Sequence, residues 1–248
     1  MKNSFSYSEF SAAMKCLRYY KLNVLDSTDR VTDLNPNLIF GTTVHEALNT
    51  MLKYDYEMSV SVFEMAWKVH KDRPVRWDRD SWDDYRSMGI TFLRKFDQYQ
   101  LKRFKYLSGE KRLYAAYEGI NLEGTPDAVV EYDGIHTLVD FKTSAYNYDK
   151  DRVRASLQLY LYAYLCLRNG IRVDQVMYLP FIKNTGSIQT PLIETIDNDK
   201  MHNMLDDMKE YVSLLSVNTT FPKNVNSCIV GTNKCDYFNY CWGKREDV

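Results

Sequence analysis

The chain lacks three things, and each absence narrows what it does. It has no long apolar run: residues 157–167, the most hydrophobic stretch, are interrupted by Gln158 and fall far short of the ~20 residues a membrane-crossing helix needs. It has no excess of one charge sign, with 32 Lys and Arg against 33 Asp and Glu, so any attraction to a polyanion must be local. It has no G-x-x-x-x-G-K-[ST] phosphate loop, so its 248 residues encode no nucleotide-driven motor of that type. Internal repeats and low-complexity linkers are missing too. The opening MKNSFSYSEF is too polar for a secretory signal, which leads us to expect a cytoplasmic protein that is neither secreted nor bound to membrane.

What is present reads as one globular α/β domain over 1–248, with 45% hydrophobic and 26% charged residues. Ser6 or Ser8 caps a first helix whose apolar positions Phe10, Ala13, Met14 and Leu17 recur at helical spacing. Asn35-Pro36 starts a second helix, running to about residue 54 and containing His45. Helical patterns follow at 59–71 and 82–107, giving a helical part over about 1–108. Strands are then expected at 113–120, 124–132 and 135–143, with Asp133-Gly134 as a hairpin turn. A helix over 152–168 ending at Asn169-Gly170, strands at 173–182 and 187–195, and a helix at 197–215 complete a catalytic core of about 109–215. An irregular tail of about 216–248 carries three cysteines.

The segment EGTPDAVVEYDGIHTLVDFKTS carries the most chemistry. Strand side chains alternate, so Asp140 and Lys142 share a face while Phe141 points to the other. Hairpin pairing through Asp133-Gly134 carries Asp127 toward Asp140, and paired carboxylates suit Mg²⁺ or Mn²⁺. Leu138 and Val139 make the strand apolar, where an isolated carboxylate and ammonium would cost several kcal/mol without a partner or a metal.

Four blocks in order, G-T-T-V-H-E-A-L at 41–48, G-T-P-D at 124–127, V-D-F-K at 139–142 and Q-L-Y-L-Y at 158–162, resemble the PD-(D/E)XK nuclease superfamily. Within it, the chain resembles the RecB-like branch that carries an iron-sulfur cluster, including CRISPR-adaptation nucleases and AddB-type recombination nucleases. That resemblance implies a restriction-endonuclease-like mixed central sheet flanked by helices. It implies metal ligation by His45, Asp127, Asp140 and the main-chain carbonyl of Phe141. It makes Lys142 the motif lysine, and Gln158 and Tyr162 the helix motif that positions water or a phosphate oxygen. The implied activity is metal-dependent DNA hydrolysis. An exonuclease on single-stranded ends leads; a non-cleaving DNA-end-binding module and a structure-specific endonuclease are the alternatives. A cytoplasmic or nucleoid-associated location follows, with any unwinding supplied by a helicase or recombination partner.

Cys228, Cys235 and Cys241 form C-x6-C-x5-C in the tail, and such clustering in a reducing compartment favours metal ligation. The same branch places one cysteine before the core and three after it around a [4Fe-4S] cluster, which implies Cys16 as the fourth ligand; zinc is the competing metal. The family's usual spacing between the first two tail cysteines is two residues, where this chain has six. Cys166, within an apolar helix, reads as a core residue.

Two segments combine cations able to contact phosphates with aromatics able to stack bases: Lys102, Arg103, Phe104, Lys105, Tyr106, Lys111 and Arg112 in one, and Arg73, Arg76, Trp77, Arg79 and Trp82 in the other. A solvated helix face and a loop with aromatic anchors are the alternative readings. Tyr146 and Tyr148, just past the expected catalytic strand, are either stacking platforms or packing residues.

Overall fold

The computed structural model describes residues 4–28, 35–71, 73, 75, 77, 80–230 and 233–243. The chain opens with a short strand β1 (Phe5–Ser6) and helix α1 (Tyr7–Lys15), closed by a capping box in which the Ser6 side chain accepts from the Glu9 amide and Glu9 accepts from the Ser6 amide. Helix α2 (Leu17–Tyr20) continues into a single π turn at Lys21–Leu25. Helix α3 (Pro36–Lys53) starts as expected, with Asn35 as N-cap and Pro36 in the first turn. Helices α4 (Tyr56–Lys68) and α5 (Trp82–Tyr99) pack against it around Phe40, Phe63, Trp67 and Phe92, all fully buried.

The helix expected over 82–107 ends early. After a 3₁₀ turn, residues from Phe104 form strand β2 (Phe104–Gly109), because Phe104 packs edge-on against Phe96 and Tyr132 while β2 pairs antiparallel with β5. The run at 113–120 is likewise not one strand. Glu118 (φ 41°) and Gly119 (φ 90°) adopt the left-handed conformations of a two-residue hairpin turn and split it into β3 (Leu113–Tyr117) and β4 (Ile120–Gly124).

Strands β5 (Ala128–Tyr132) and β6 (Ile135–Ser144) form the expected hairpin, with Asp133 (φ 48°) and Gly134 (φ 87°) in its turn. The helix expected over 152–168 is broken into α6 (Asp151–Arg154) and α7 (Leu157–Arg168), because Ser156 turns its hydroxyl onto the Leu159 amide as a fresh N-cap. Strand β7 (Gln175–Ile182) is buried along its whole length. Strands β8 (Ser187–Ile188) and β9 (Leu192–Thr195) pair with successive stretches of it, followed by helix α8 (Asn198–Val217). In the tail, strands β10 (Ile229–Val230) and β11 (Asn233–Lys234) make a small hairpin before helix α9 (Phe238–Trp242).

The central sheet is mixed, in the order β2-β5-β6-β7-β8 with β9 also on β7; β6 and β7 are parallel and the other pairs antiparallel. The alternation of strand side chains divides the core. Ala128, Val130, Val139, Phe141, Met177, Leu179 and Phe181 face α3–α5, whereas Val129, Leu138, Val176 and Tyr178 face α7, α8 and the smaller sheet β1-β4-β3. No helix among the described residues is long and apolar enough to cross a membrane.

Candidate active site

The hairpin register pairs Ala128 with Val139, so the next rung sets Asp127 opposite Asp140 at the end of β5 and in the middle of β6. Asp127 lies just outside the strand and departs from the ladder: its Oδ2 accepts the Phe141 amide at 2.9 Å, and His45 Nδ1 stands 3.2 Å from the same oxygen. Its Oδ1 has no hydrogen-bond partner among the described residues. The close approach of β2 to this corner requires a glycine, since a Cβ on Gly109 would lie 2.4 Å from the Asp127 carbonyl.

Asp140 is 2% exposed, and Lys142 Nζ lies 2.6 Å from its Oδ2. The ammonium is the ion-pair partner of this buried oxygen. Burial pushes the Asp140 carboxyl up to about 6, with the Lys142 charge opposing that rise and Asp127 adding to it. Burial by itself would lower the Lys142 pKa, but Asp140 outweighs it and holds the side chain as an ammonium. The same contest occurs at His45, where burial favours the neutral ring and is overcome by the Asp127 hydrogen bond and the charges of Asp127 and Asp140, so its pKa rises.

Lys142 also donates to Gln158 Oε1 at 2.8 Å, and Gln158 Nε2 donates to the Tyr162 hydroxyl at 3.4 Å. These side chains lie one turn apart on α7 and arrive together on the sheet face that carries Asp140 and Lys142. All of His45, Asp127, Asp140, Phe141, Lys142, Gln158 and Tyr162 therefore meet at one locus. Even so, no three His, Cys, Asp or Glu side chains among the described residues already form a metal-holding group.

Sequence reading missed the residues that brace this locus. Tyr178, paired in register with Asp140, puts its ring 5.1 Å under Lys142 Nζ and hydrogen-bonds Ser156, the α7 cap. On the α3 side, Asn49 donates to Glu110 at 3.2 Å and Lys53 pairs with the same carboxylate. A polar residue at the 2% exposed Asn49 was the available signal, and only the fold revealed its partner.

The four cysteines Cys16, Cys228, Cys235 and Cys241 line one small cavity, together with Arg18 and Lys223. The six-residue spacing is explained by the β10–β11 hairpin, which loops out between Cys228 and Cys235 and returns them to adjacency, with the Cys235 amide donating to the Cys228 carbonyl at 2.9 Å. Cys16 Sγ accepts the Asn224 amide at 3.2 Å, and Cys228 Sγ accepts the Trp242 indole N–H at 3.4 Å. Cys166 is fully buried in the α7 core, where burial pushes its thiol up to about 12.

In the two cation-rich segments, three of the cations have carboxylate partners and most of the aromatics pack inward. Arg103 pairs with Asp133, Lys105 with Glu131 and Arg112 with Glu123; Phe104 is core and Tyr106 lies under Lys53. Lys102 and Lys111 are exposed. Trp77 and Trp82 pack on Trp67; Arg73 is exposed, and Arg76 and Arg79 lie outside the described residues. Tyr148 packs against Tyr178 beneath Arg152, whereas Tyr146 is 74% exposed.

A mixed sheet that carries two carboxylates and a lysine at the mouth of one hairpin, met by a histidine from α3, defines a restriction-endonuclease-like fold. Residues 4–242 match the PD-(D/E)XK nuclease superfamily, and the chain belongs to it. Among solved structures, the protein named "Putative exonuclease" from Eubacterium rectale superposes with a TM-score of 0.61 at 12% identity, covering 97% of this chain and 94% of that one. SSO0001 overlaps at a TM-score of 0.33, with 11% identity and coverage of 86% and 87%, too loosely to inform the comparison. No curated protein matches the sequence.

Proposed function

We propose that the protein is a divalent-metal-dependent deoxyribonuclease, acting as an exonuclease on single-stranded DNA ends through one nuclease domain. The observation that carries this reading is the convergence of the buried Asp140 carboxylate with Asp127, His45 and Lys142. Lys142 offsets part of the cost of burying this anion, and a bound divalent cation would complete its surroundings. His45, Asp127, Asp140 and the Phe141 carbonyl are the donors that would hold Mg²⁺ or Mn²⁺, an oxygen-rich set suited to a hard ion. When bound, that ion polarises the scissile phosphate and acidifies water.

The chain's own residues supply the rest. Lys142, held as an ammonium, sets positive charge where the phosphate gains negative charge. Gln158 spends its carbonyl on Lys142 and its amide on Tyr162, leaving the Tyr162 O–H proton for a phosphate oxygen or the attacking water. Hydrolysis leaves a 5′-phosphate and a 3′-hydroxyl, and unwinding of duplex ends falls to a helicase or recombination partner.

The test is cleavage of labelled linear single-stranded, linear duplex and circular single-stranded DNA with Mg²⁺ or Mn²⁺. Wild type should trim linear single strands, and Asp140→Ala and Lys142→Ala should not. Equal degradation by all three proteins refutes the assignment, cutting of circles makes the enzyme an endonuclease, and binding without cutting makes it an end-binding module.

We further read Cys16, Cys228, Cys235 and Cys241 as ligands of a [4Fe-4S] cluster that ties the two ends of the chain together. Convergence of the four on one cavity supports this, as do the cationic Arg18 and Lys223 on its wall, which suit an anionic cluster. Protein purified without oxygen should be brown and contain iron and sulfide, and Cys16→Ala should lose folded yield. Colourless protein with stoichiometric zinc would replace iron by zinc.

A further inference from the structure

The proposed chemistry leaves a polar stripe on α3 only partly used. Asn37, Gly41, His45, Asn49 and Lys53 recur every four residues on α3, so each neighbours the next on the helix surface while the row winds slowly around the helix on either side of His45. Toward the C-terminus the stripe is closed, because Asn49 and Lys53 are both engaged by Glu110. Toward the N-terminus the row runs past the sheet edge at Thr143 to Asn37. Gly41 offers no side chain, and a Cβ there would sit 3.1 Å from the hydroxyl of Thr143, the residue after Lys142.

One turn beyond Gly41, Asn37 meets Lys183. Asn37 Oδ1 accepts the hydroxyl of the buried Tyr85 at 2.9 Å and also takes the Lys183 ammonium. With its oxygen turned onto two donors, the Asn37 amide nitrogen faces away from them and has no partner among the described residues. Lys183 is anchored at the end of the active-site strand, its amide donating to the Ser144 carbonyl at 2.7 Å and its ammonium 5.9 Å from the Tyr85 ring centre. No carboxylate among the described residues lies within ion-pair distance of it; Asp80 acts on it only at longer range, and burial lowers its pKa. A half-buried ammonium with no carboxylate partner, beside an outward amide N–H, is a donor pair for an oxyanion.

We propose that Lys183 and Asn37 form a phosphate subsite that grips the DNA backbone a short distance from the scissile bond. Eight residues separate Asn37 from His45, or ~12 Å along the helix, against about 3.4 Å per phosphate along one strand of a duplex and more in an extended single strand. The contacted phosphate therefore lies two to four nucleotides from the cut. This rests on the nuclease reading of the same site.

The experiment measures fluorescence anisotropy of a labelled single-stranded oligonucleotide in buffer free of divalent ions, so that binding is read without cleavage. Lys183→Gln should weaken binding several-fold and lower the salt slope by about 0.7, the value of one phosphate contact on a single strand. Lys183→Arg should restore both. A methylphosphonate scan should find one position whose neutralisation weakens wild type and leaves Lys183→Gln unchanged, and with Mg²⁺ the Gln variant should raise KM while keeping kcat. Unaltered affinity and salt slope in Lys183→Gln overturn the subsite, and the nuclease reading survives if wild type still cleaves. A wild type that neither binds nor cuts DNA overturns both.

Discussion

Replacing Gly124 by alanine tests whether Tyr162 works as part of the site. A Cβ at this position would lie 2.5 Å from Tyr162 Cε1, 2.9 Å from its Cδ1 and 3.0 Å from Leu165 Cδ1. Carbon atoms settle at about 3.5–4.0 Å, so the Tyr162 ring must withdraw by roughly 1 Å. Overpacking of this kind costs about 1–3 kcal/mol, of which ~0.4–1 kcal/mol is recovered from the stiffer unfolded chain, since Gly124 has no left-handed φ. The larger effect falls on chemistry. Tyr162 is tied through Gln158 to Lys142, and a displacement of about 1 Å in a positioning group lowers turnover on the order of 100-fold. Gly119→Ala at the opposite end of β4 is the matched control: nothing lies within 4 Å, but φ of 90° costs an alanine ~1–2 kcal/mol. Urea denaturation and single-turnover cleavage of a linear single strand are measured for both variants. Gly124→Ala should lose kcat while Gly119→Ala, comparably destabilised, keeps it. Equal kcat in the two variants would refute the placement of Tyr162 in the machinery.

Asp140 makes the metal effect depend on pH. Its folded pKa of about 6 lies above the unfolded carboxylate value, so its contribution to metal-free stability is full below about pH 4 and is lost as pH rises through 6. Mg²⁺ or Mn²⁺ should therefore raise Tm more at pH 7.5 than at pH 5 in differential scanning fluorimetry, and equal shifts would contradict the buried-carboxylate account. Ser156→Ala should cost roughly 1 kcal/mol as a lost helix cap and about 1–3 kcal/mol for the stranded Tyr178 hydroxyl. Adding Tyr178→Phe should leave stability no lower in urea, whereas fully additive losses would show that the two hydroxyls are not coupled. Cys166→Ala should lower stability through a core cavity while leaving bound metal content unchanged, as read by elemental analysis; loss of metal would place Cys166 among the ligands.

The active-site geometry was legible wherever it depends on local rules. Asp133-Gly134 demands a two-residue turn, that turn sets the register, and the register brings Asp127 opposite Asp140, so the carboxylate pair follows from chain chemistry over a short span. Strand alternation likewise placed Asp140 and Lys142 on one face, and helical spacing placed Gln158 with Tyr162. Errors arose where local pattern competed with distant packing. Residues 104–107 carry a helix-compatible pattern but become strand because β5 offers a pairing edge and Phe96 and Tyr132 a pocket for Phe104. The charged, aromatic stretch at 102–112 allowed two readings, a nucleic-acid surface or a solvated face, and only the fold showed that Asp133, Glu131 and Glu123 pair with three of its cations. The tail shows the same division. Four of the five cysteines could be singled out from the chain alone, but only folding showed that a hairpin reunites Cys228 with Cys235 and that Cys16 joins them in one cavity. Short-range backbone preferences are written in neighbouring residues; the partners of Lys183, Glu110 and Tyr178 lie far away in sequence and are selected by burial and by pairing of charges, which only the assembled chain decides.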